Sequence, residues 1–233
     1  MFITTSGIVL RTYPFRDKKL IVKIFTFDYG ILTFIITKNK SQIALSQLLT
    51  IAEITYKHSK NKSLFYIKEV QVEHIYRSLT INRQKMEIAI IICEILNKCL
   101  KEKNEILYNF IKKTLIYLDR IEKYVEGFDT LFLIKFCDIV GVSPFNGRNN
   151  DPDLILNIEE GLFMKEIPHN NTITKEESYL LQKLSHLDFA DLTSIKITDD
   201  LNTNLFRIMI LYISIHLADL TKLKSINIFK SIS

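Results

Sequence analysis

Glycine is scarce in this chain, with 6 among 233 residues, and none stands in a phosphate-cradling or dinucleotide pattern. Nucleotide hydrolysis of the P-loop kind is therefore not expected. Cysteine is scarcer still: Cys93, Cys99 and Cys137 are odd in number, lack the short spacing of a metal site and fall in helix-like segments. They read as small buried apolar groups rather than as a disulfide framework or a zinc site. The five histidines, His58, His74, His169, His186 and His216, are scattered, with no His-x-x-x-His or Glu-flanked helical pair, so no metal and no cofactor is expected. His216 reads as a packed or capped side chain. The acid pairs Glu159-Glu160 and Asp199-Asp200 stand in loop-like contexts, where carboxylates are solvated or cap helices. No catalytic residue is assigned, and an enzyme is the weakest reading.

Long apolar runs are also missing. Ile88 to Cys93 and Ile208 to Ile213 are interrupted within a few positions, well short of the roughly 18 residues that span a bilayer. The start, Met-Phe-Ile-Thr-Thr-Ser-Gly, has neither the basic opening nor the small-residue cleavage site of a secretory signal. A cytoplasmic protein with no membrane partner is expected.

What the chain does have is a 47% apolar composition, enough for one large or two smaller cores, and a formal charge of +5. That modest total hides an asymmetry. Residues 1–77 carry twelve Lys or Arg against five acids, a net of +7, while the remainder is at −2. A folded module with a local excess of cations, interleaved with Tyr13, Phe15, Phe25, Phe27 and Phe34, is the footprint of a nucleic-acid-binding surface.

The organisation is of the α+β class. Five short β segments are expected at about Gly7–Tyr13, Leu20–Phe27, Ile31–Lys38, Leu49–Tyr56 and Leu64–Val70, which suggests a small closed barrel over residues 1–78. In the second segment Leu20, Val22, Ile24 and Thr26 point one way, toward a core, and Ile21, Lys23, Phe25 and Phe27 the other, mixing cation and ring. Asp28-Tyr29-Gly30 reads as a hairpin turn, with glycine where a positive φ is required.

From 79 to 233 the period becomes helical. Asn82 caps a helix to about Lys101 that is apolar on most sides, another runs from about Glu105, and a third runs from about Phe128 to Gly141. An irregular insert at about 142–172 holds a short hairpin, Leu154–Ile158 with Leu162–Ile167. Thr174-Lys-Glu-Glu177 has capping-box form, and a last helix is expected from about Asn204 past Leu220.

Barrels of this size commonly lay single-stranded nucleic acid across one sheet face. The cations expected to meet phosphates are Lys38 and Lys40, just after the third strand, then Arg16, Lys18 and Lys19 at the first turn, with Arg11 and Lys23 on the strands beside it. Two other readings stay open: a protein-interaction adaptor whose positive face docks an acidic partner, and an RNA-binding barrel.

The order Gly7-Ile-Val-Leu-Arg11, Asp17 after a Pro-containing turn, Phe25-Thr26 followed by Gly30, and a basic stretch after the third strand resembles the N-terminal domain of RecO DNA repair proteins. Phe206-Arg207, continuing through Tyr212, His216 and Leu217 into Leu223-Lys-Ser225, is similar to that family's closing segment. The resemblance implies an N-terminal OB-fold, a helical C-terminal domain and a recombination mediator without catalytic turnover. It also implies binding of single- and double-stranded DNA, strand annealing, action with RecR to load RecA, and recognition of the C-terminal tail of single-stranded-DNA-binding protein. Two features depart from the family. The segment from Pro144 to His169 has no cysteine where many members carry a four-cysteine zinc module, so a hairpin held by packing is expected. The basic loop has Asn39, not glycine, between Lys38 and Lys40.

Overall fold

Alternation in the first third of the chain produces long strands. The computed structural model describes residues 1–59, 63–100, 102–146, 150–165 and 173–225. β1 (Phe2–Arg16), β2 (Lys19–Thr26), β3 (Gly30–Thr37), β4 (Ile51–Lys57) and β5 (Leu64–His74) close into a barrel of order β1-β2-β3-β5-β4. Neighbours are antiparallel except β3 and β5, which pair in parallel through Phe34 and Phe65. This is the expected five-stranded OB-fold barrel. Its interior is the even-numbered row of β2, Leu20, Val22 and Ile24, with Val9, Phe34, Ile36, Ile54, Tyr56 and Phe65. Gly7 is required by close approach, because a Cβ there would stand 2.4 Å from Ile24 Cγ2. The expected turn before β3 forms with Gly30 at φ +69°, and Thr26 Oγ1 donates to Gly30 O at 2.8 Å while accepting from Tyr29 N at 3.2 Å.

β1 is longer than its sequence suggests at both ends. Only Phe2–Ile8 pairs with β4, so Arg11–Arg16 continues as an arm bonded to β2 alone. Pro14 is tolerated there because an edge position needs no ladder N–H.

Two compact units divide the chain. The first comprises Met1–Glu122 with Leu223–Ser233, the second Lys123–Lys222. Besides the barrel, the first contains α1 (Arg83–Cys99) and α2 (Glu105–Arg120), capped by Asn82 on Lys85 N and Asn104 on Leu107 N. The tie between barrel and helices is Asp119. Its buried carboxylate accepts the backbone N–H groups of Arg77 (2.9 Å), Ser78 (2.8 Å) and Leu79 (2.9 Å), and His74 Nε2 lies at 3.0 Å. Burial alone would raise this carboxyl, but the amides of Leu79 and Ser78, with His74 and Arg77, outweigh it and hold the group below its ordinary range. Lys85, itself fully buried, donates to Ser78 Oγ at 2.6 Å and to the carbonyls of Asp119 and Ile121. α2 also seats on the barrel through Tyr108, whose hydroxyl lies 2.6 Å from Ser6 Oγ. Cys93 packs inward with its thiol 2.8 Å from Leu10 O, and burial pushes that thiol up to about 12. All three cysteines are buried.

The second unit is α3 (Phe128–Val140), a hairpin of β6 (Ile155–Asn157) and β7 (Leu162–Met164), α4 (Lys175–Ser185) and α5 (Asp199–His216). The Thr174–Glu177 capping box is present. The last helix differs from its expected span, starting earlier and stopping before Leu220. Thr198 caps it on Leu201 N, and Asp199 and Asp200, expected in a loop, occupy the first turn, where the helix dipole favours carboxylates. At its far end Ser214 Oγ accepts the Leu220 N–H at 3.0 Å, turning the chain away. The hairpin is shorter than expected, its second strand ending at Met164, and Ile167 lies outside the described residues. It is held by hydrogen bonds and packing: His216 Nε2 donates to Ile158 O at 2.7 Å, Leu156 N donates to Ser178 Oγ at 3.0 Å, and Phe145 and Phe163 meet at 5.7 Å. Gly161, at φ +68°, lets the turn pass Tyr212, whose hydroxyl would be 3.0 Å from a Cβ. Among the described residues no group of three His, Cys, Asp or Glu could hold a metal, and no helix is long and apolar enough to cross a membrane.

Replacing Asp119 with Ala strands three amides, that of Leu79 buried and those of Arg77 and Ser78 partly so, and is expected to cost about 3 kcal/mol in urea unfolding. Because the folded carboxyl titrates below its unfolded value of 3.8, its contribution is complete above that pH. It is lost as pH falls through the lower folded value. Acid unfolding of the wild type should therefore steepen below pH 3.8, and Asp119→Ala should lack that component.

Candidate nucleic-acid interface

The β1–β2 arm gathers the cations. Its register sets Arg11 opposite Lys23, Tyr13 opposite Ile21 and Arg16 opposite Lys19, with a bulge between Pro14 and Arg16 that increases local twist. Arg11, Tyr13, Ile21 and Lys23 lie on the outer face, because Leu20 and Val22 point into the barrel. Lys18 occupies the turn. β3 runs alongside, with Thr37 opposite Lys19, and the chain leaving it is fixed to the turn by Lys38 N donating to Lys18 O at 2.8 Å. All seven cations singled out in the sequence, Arg11, Arg16, Lys18, Lys19, Lys23, Lys38 and Lys40, thus lie on this arm or on the loop bonded to it. Five of them are exposed, and Lys19 and Lys23 are half-buried.

The loop after β3 is ordered by Asn39. Its side-chain oxygen accepts from Gln42 N at 3.0 Å and Ser41 Oγ at 2.9 Å, and its carbonyl accepts from Ile43 N at 2.9 Å. Gln42 completes the loop, accepting from Thr37 N at 2.8 Å and donating to Ile67 O at 3.0 Å. An asparagine side chain here closes the turn by accepting a backbone N–H three residues on.

The aromatic part of the expectation requires correction. Phe34 is fully buried in the barrel, 5.2 Å from Tyr56, and is not on the surface. Phe25 and Phe27 face outward from the barrel, but Tyr108 of α2 covers them with edge contacts at 5.4 and 5.6 Å. The outer face of β2 is therefore covered by a helix at one end and cationic at the other. Tyr13 and Phe15 remain on the arm, each beneath a guanidinium, Arg11 at 4.8 Å and Arg16 at 5.3 Å. Such contacts hold the guanidinium groups along the arm with their charge unpaired.

Carboxylates are kept away. Glu53, Glu69 and Glu73 stand on the β4–β5 ladder, where Glu69 meets Lys68 at 2.9 Å and Glu73 pairs with Lys112. Asp28, at the far turn, accepts from Thr5 Oγ1 at 2.7 Å. Asp17 is the one acid of the first 77 residues within the arm. Among the described residues none of the seven cations forms a salt bridge. Lys60 and Lys62 lie outside the described residues.

Residues 1–76, the barrel, match the family described as Recombination protein O N terminal. Similarity to curated proteins named DNA repair protein RecO extends over the whole chain. The Azobacteroides pseudotrichonymphae relative is 26% identical over 240 residues, covering 100% of this chain and 99% of its own. The Flavobacterium psychrophilum relative is 29% identical with the same coverage, and that of Christiangramia forsetii is 26% identical with the same coverage. The barrel thus matches the Recombination protein O N-terminal family, and the chain is similar from end to end to proteins named DNA repair protein RecO.

Proposed function

We propose that this protein acts in DNA repair and recombination as a mediator that binds single- and double-stranded DNA and anneals complementary strands. With RecR, it would assist RecA to load onto DNA coated by single-stranded-DNA-binding protein, whose C-terminal tail it would recognise. The observation that carries this reading is the arm, where seven cations share one hairpin and its adjoining loop and, among the described residues, none forms a salt bridge with a carboxylate. The end-to-end similarity to proteins named DNA repair protein RecO supports the biological setting.

The chemistry follows from the geometry. Lys and Arg on an extended arm meet phosphates, which repeat along any strand, and contacts of that kind position the polymer without reading its sequence. Bases left unread can pair with a second strand, so a phosphate-gripping mediator is compatible with annealing. No reacting group is needed for either step, and the protein is proposed to act without turnover.

Binding should be strongly salt-dependent. If about four cations contact phosphates of a single strand, the expected slope is about −0.7 per contact, and a fourfold rise in salt should weaken affinity about 50-fold. A fluorescence-anisotropy titration of a labelled oligonucleotide checks this; salt-independent binding, or none, would overturn the reading. Replacing Lys38 and Lys40 together by Ala should lower affinity and flatten the salt slope while leaving the thermal melt unchanged, since both side chains are exposed. Equal affinity for variant and wild type would remove this pair as contacts. Purified protein should also accelerate annealing of complementary strands already coated with single-stranded-DNA-binding protein, and no acceleration would count against the mediator role.

A further inference from the structure

The end of the barrel away from the arm carries rings. β2 runs from Lys19 at the arm to Thr26 beside the Asp28-Tyr29-Gly30 turn, so the two ends are about 23 Å apart. At the far end Tyr29, His58 and Phe65 form a column of near-parallel rings. Tyr29 and His58 lie 6.2 Å apart at 24°, and His58 and Phe65 lie 5.6 Å apart at 17°. The column begins in solvent, with Tyr29 43% exposed, and ends in the core, with Phe65 only 5% exposed and packed on Phe34 and Tyr56.

Three features indicate more than packing. Tyr29 stands on a tight turn, and both of its neighbours are held: Asp28 by Thr5, and Gly30 by Thr26 and by the backbone of Lys103, whose nitrogen would be 3.0 Å from a Gly30 Cβ. The ring is therefore presented on a rigid base. Behind it, Tyr56 Oη and His58 Nδ1 are buried and have no hydrogen-bond partner among the described residues. A phenylalanine at 56 would fill the same space without leaving a buried hydroxyl unsatisfied, a cost of about 1–3 kcal/mol. Tolerated costs of this kind concentrate where a site serves something besides stability. Around the column lie one more exposed ring and two lysines, Lys68 and Lys103, each paired with a carboxylate, Glu69 at 2.9 Å and Glu105 at 2.7 Å. His58 N donates to Met1 O at 3.0 Å, which sets the 55% exposed Phe2 beside it, and Lys68 stands over that ring at 5.0 Å. Lys103 lies next to the turn.

We propose that Tyr29 is a stacking platform for an unpaired nucleobase of a single strand whose phosphates are gripped by the arm. The column extends from the core to a ring in solvent, and a base is a planar group that would continue it. Stacking of this kind is indifferent to base identity, because every base has a π face, and it needs no cation beside the ring, since the arm supplies the hold on phosphate. The inference rests on the DNA-binding reading of the arm and adds a second point of contact with different physics.

The test uses the full chain with two single-stranded oligonucleotides of equal length, one with normal bases and one carrying abasic sites throughout. Tyr29→Ala should bind the normal strand about tenfold more weakly than wild type. It should leave the slope of log affinity against log salt unchanged, because no cation is lost. Tyr29→Phe should retain wild-type affinity, and all three proteins should bind the abasic strand alike. Equal affinity of Tyr29→Ala and wild type for the normal strand would overturn the platform while leaving the arm intact. So would an equal loss on the abasic strand. Failure of the wild type to bind either strand would overturn the DNA-binding reading and the platform together.

Discussion

Asp119 is the constraint on which the first unit depends. A carboxylate removed from water is costly unless its lone pairs are filled, and here three successive amides and an imidazole fill them. Those amides belong to residues 77–79, the segment leaving β5, while the carboxylate belongs to the last turn of α2. One acid therefore fixes where the chain exits the barrel and where the second helix ends. Lys85, near the start of α1, reaches into the same cluster through Ser78 and two carbonyls. The barrel cannot shift against α1 and α2 without exposing unsatisfied polar groups, so Tyr108 is held over Phe25 and Phe27 and the cationic arm projects from a fixed base.

Charge in the barrel is sorted by the ladder rather than by the sequence. The acids of residues 1–77 are interspersed with the cations along the chain, yet closure of the barrel puts Glu53, Glu69 and Glu73 on β4 and β5 and leaves Asp17 as the one acid on the arm. The net charge of a segment says nothing about this. An arm paired only with β2 has no neighbouring strand from which a carboxylate could reach it, and it is this topological fact, more than the count of lysines, that leaves the cations available.

Much of this was legible in sequence because it is local. Alternation predicts the strands to within a few residues, Gly30 marks the turn that needs a positive φ, and Asn82 and Thr174 mark helix starts by capping chemistry that acts over three residues. What was not legible depends on distant partners. Alternation places Phe25 and Phe27 on the outer face of β2 but cannot say that Tyr108, some eighty positions on, covers it. Asp119 looks like an ordinary helical acid, since its partners are backbone amides that carry no sequence signature. Asp199-Asp200 reads as loop by composition and becomes helix because Thr198 caps it. The same holds for Tyr29, whose ring lies beside that of His58, just past the end of β4.

Phosphate contact and ring stacking differ in how they leave a strand for its complement. On the proposed reading, cations on the arm would hold the outside of the polymer, and that hold would weaken as salt screens it. A ring beneath one face of a base adds hold that salt does not remove. Neither occupies the base edge, where pairing takes place. An interface that instead read base edges through a row of amides and carboxylates would compete with the complementary strand for the same hydrogen bonds. The side chains on this arm are donors suited to phosphate, and the exposed groups at the far end are planar rings. That combination permits a bound strand to remain available for pairing, which is the physical requirement of an annealing protein.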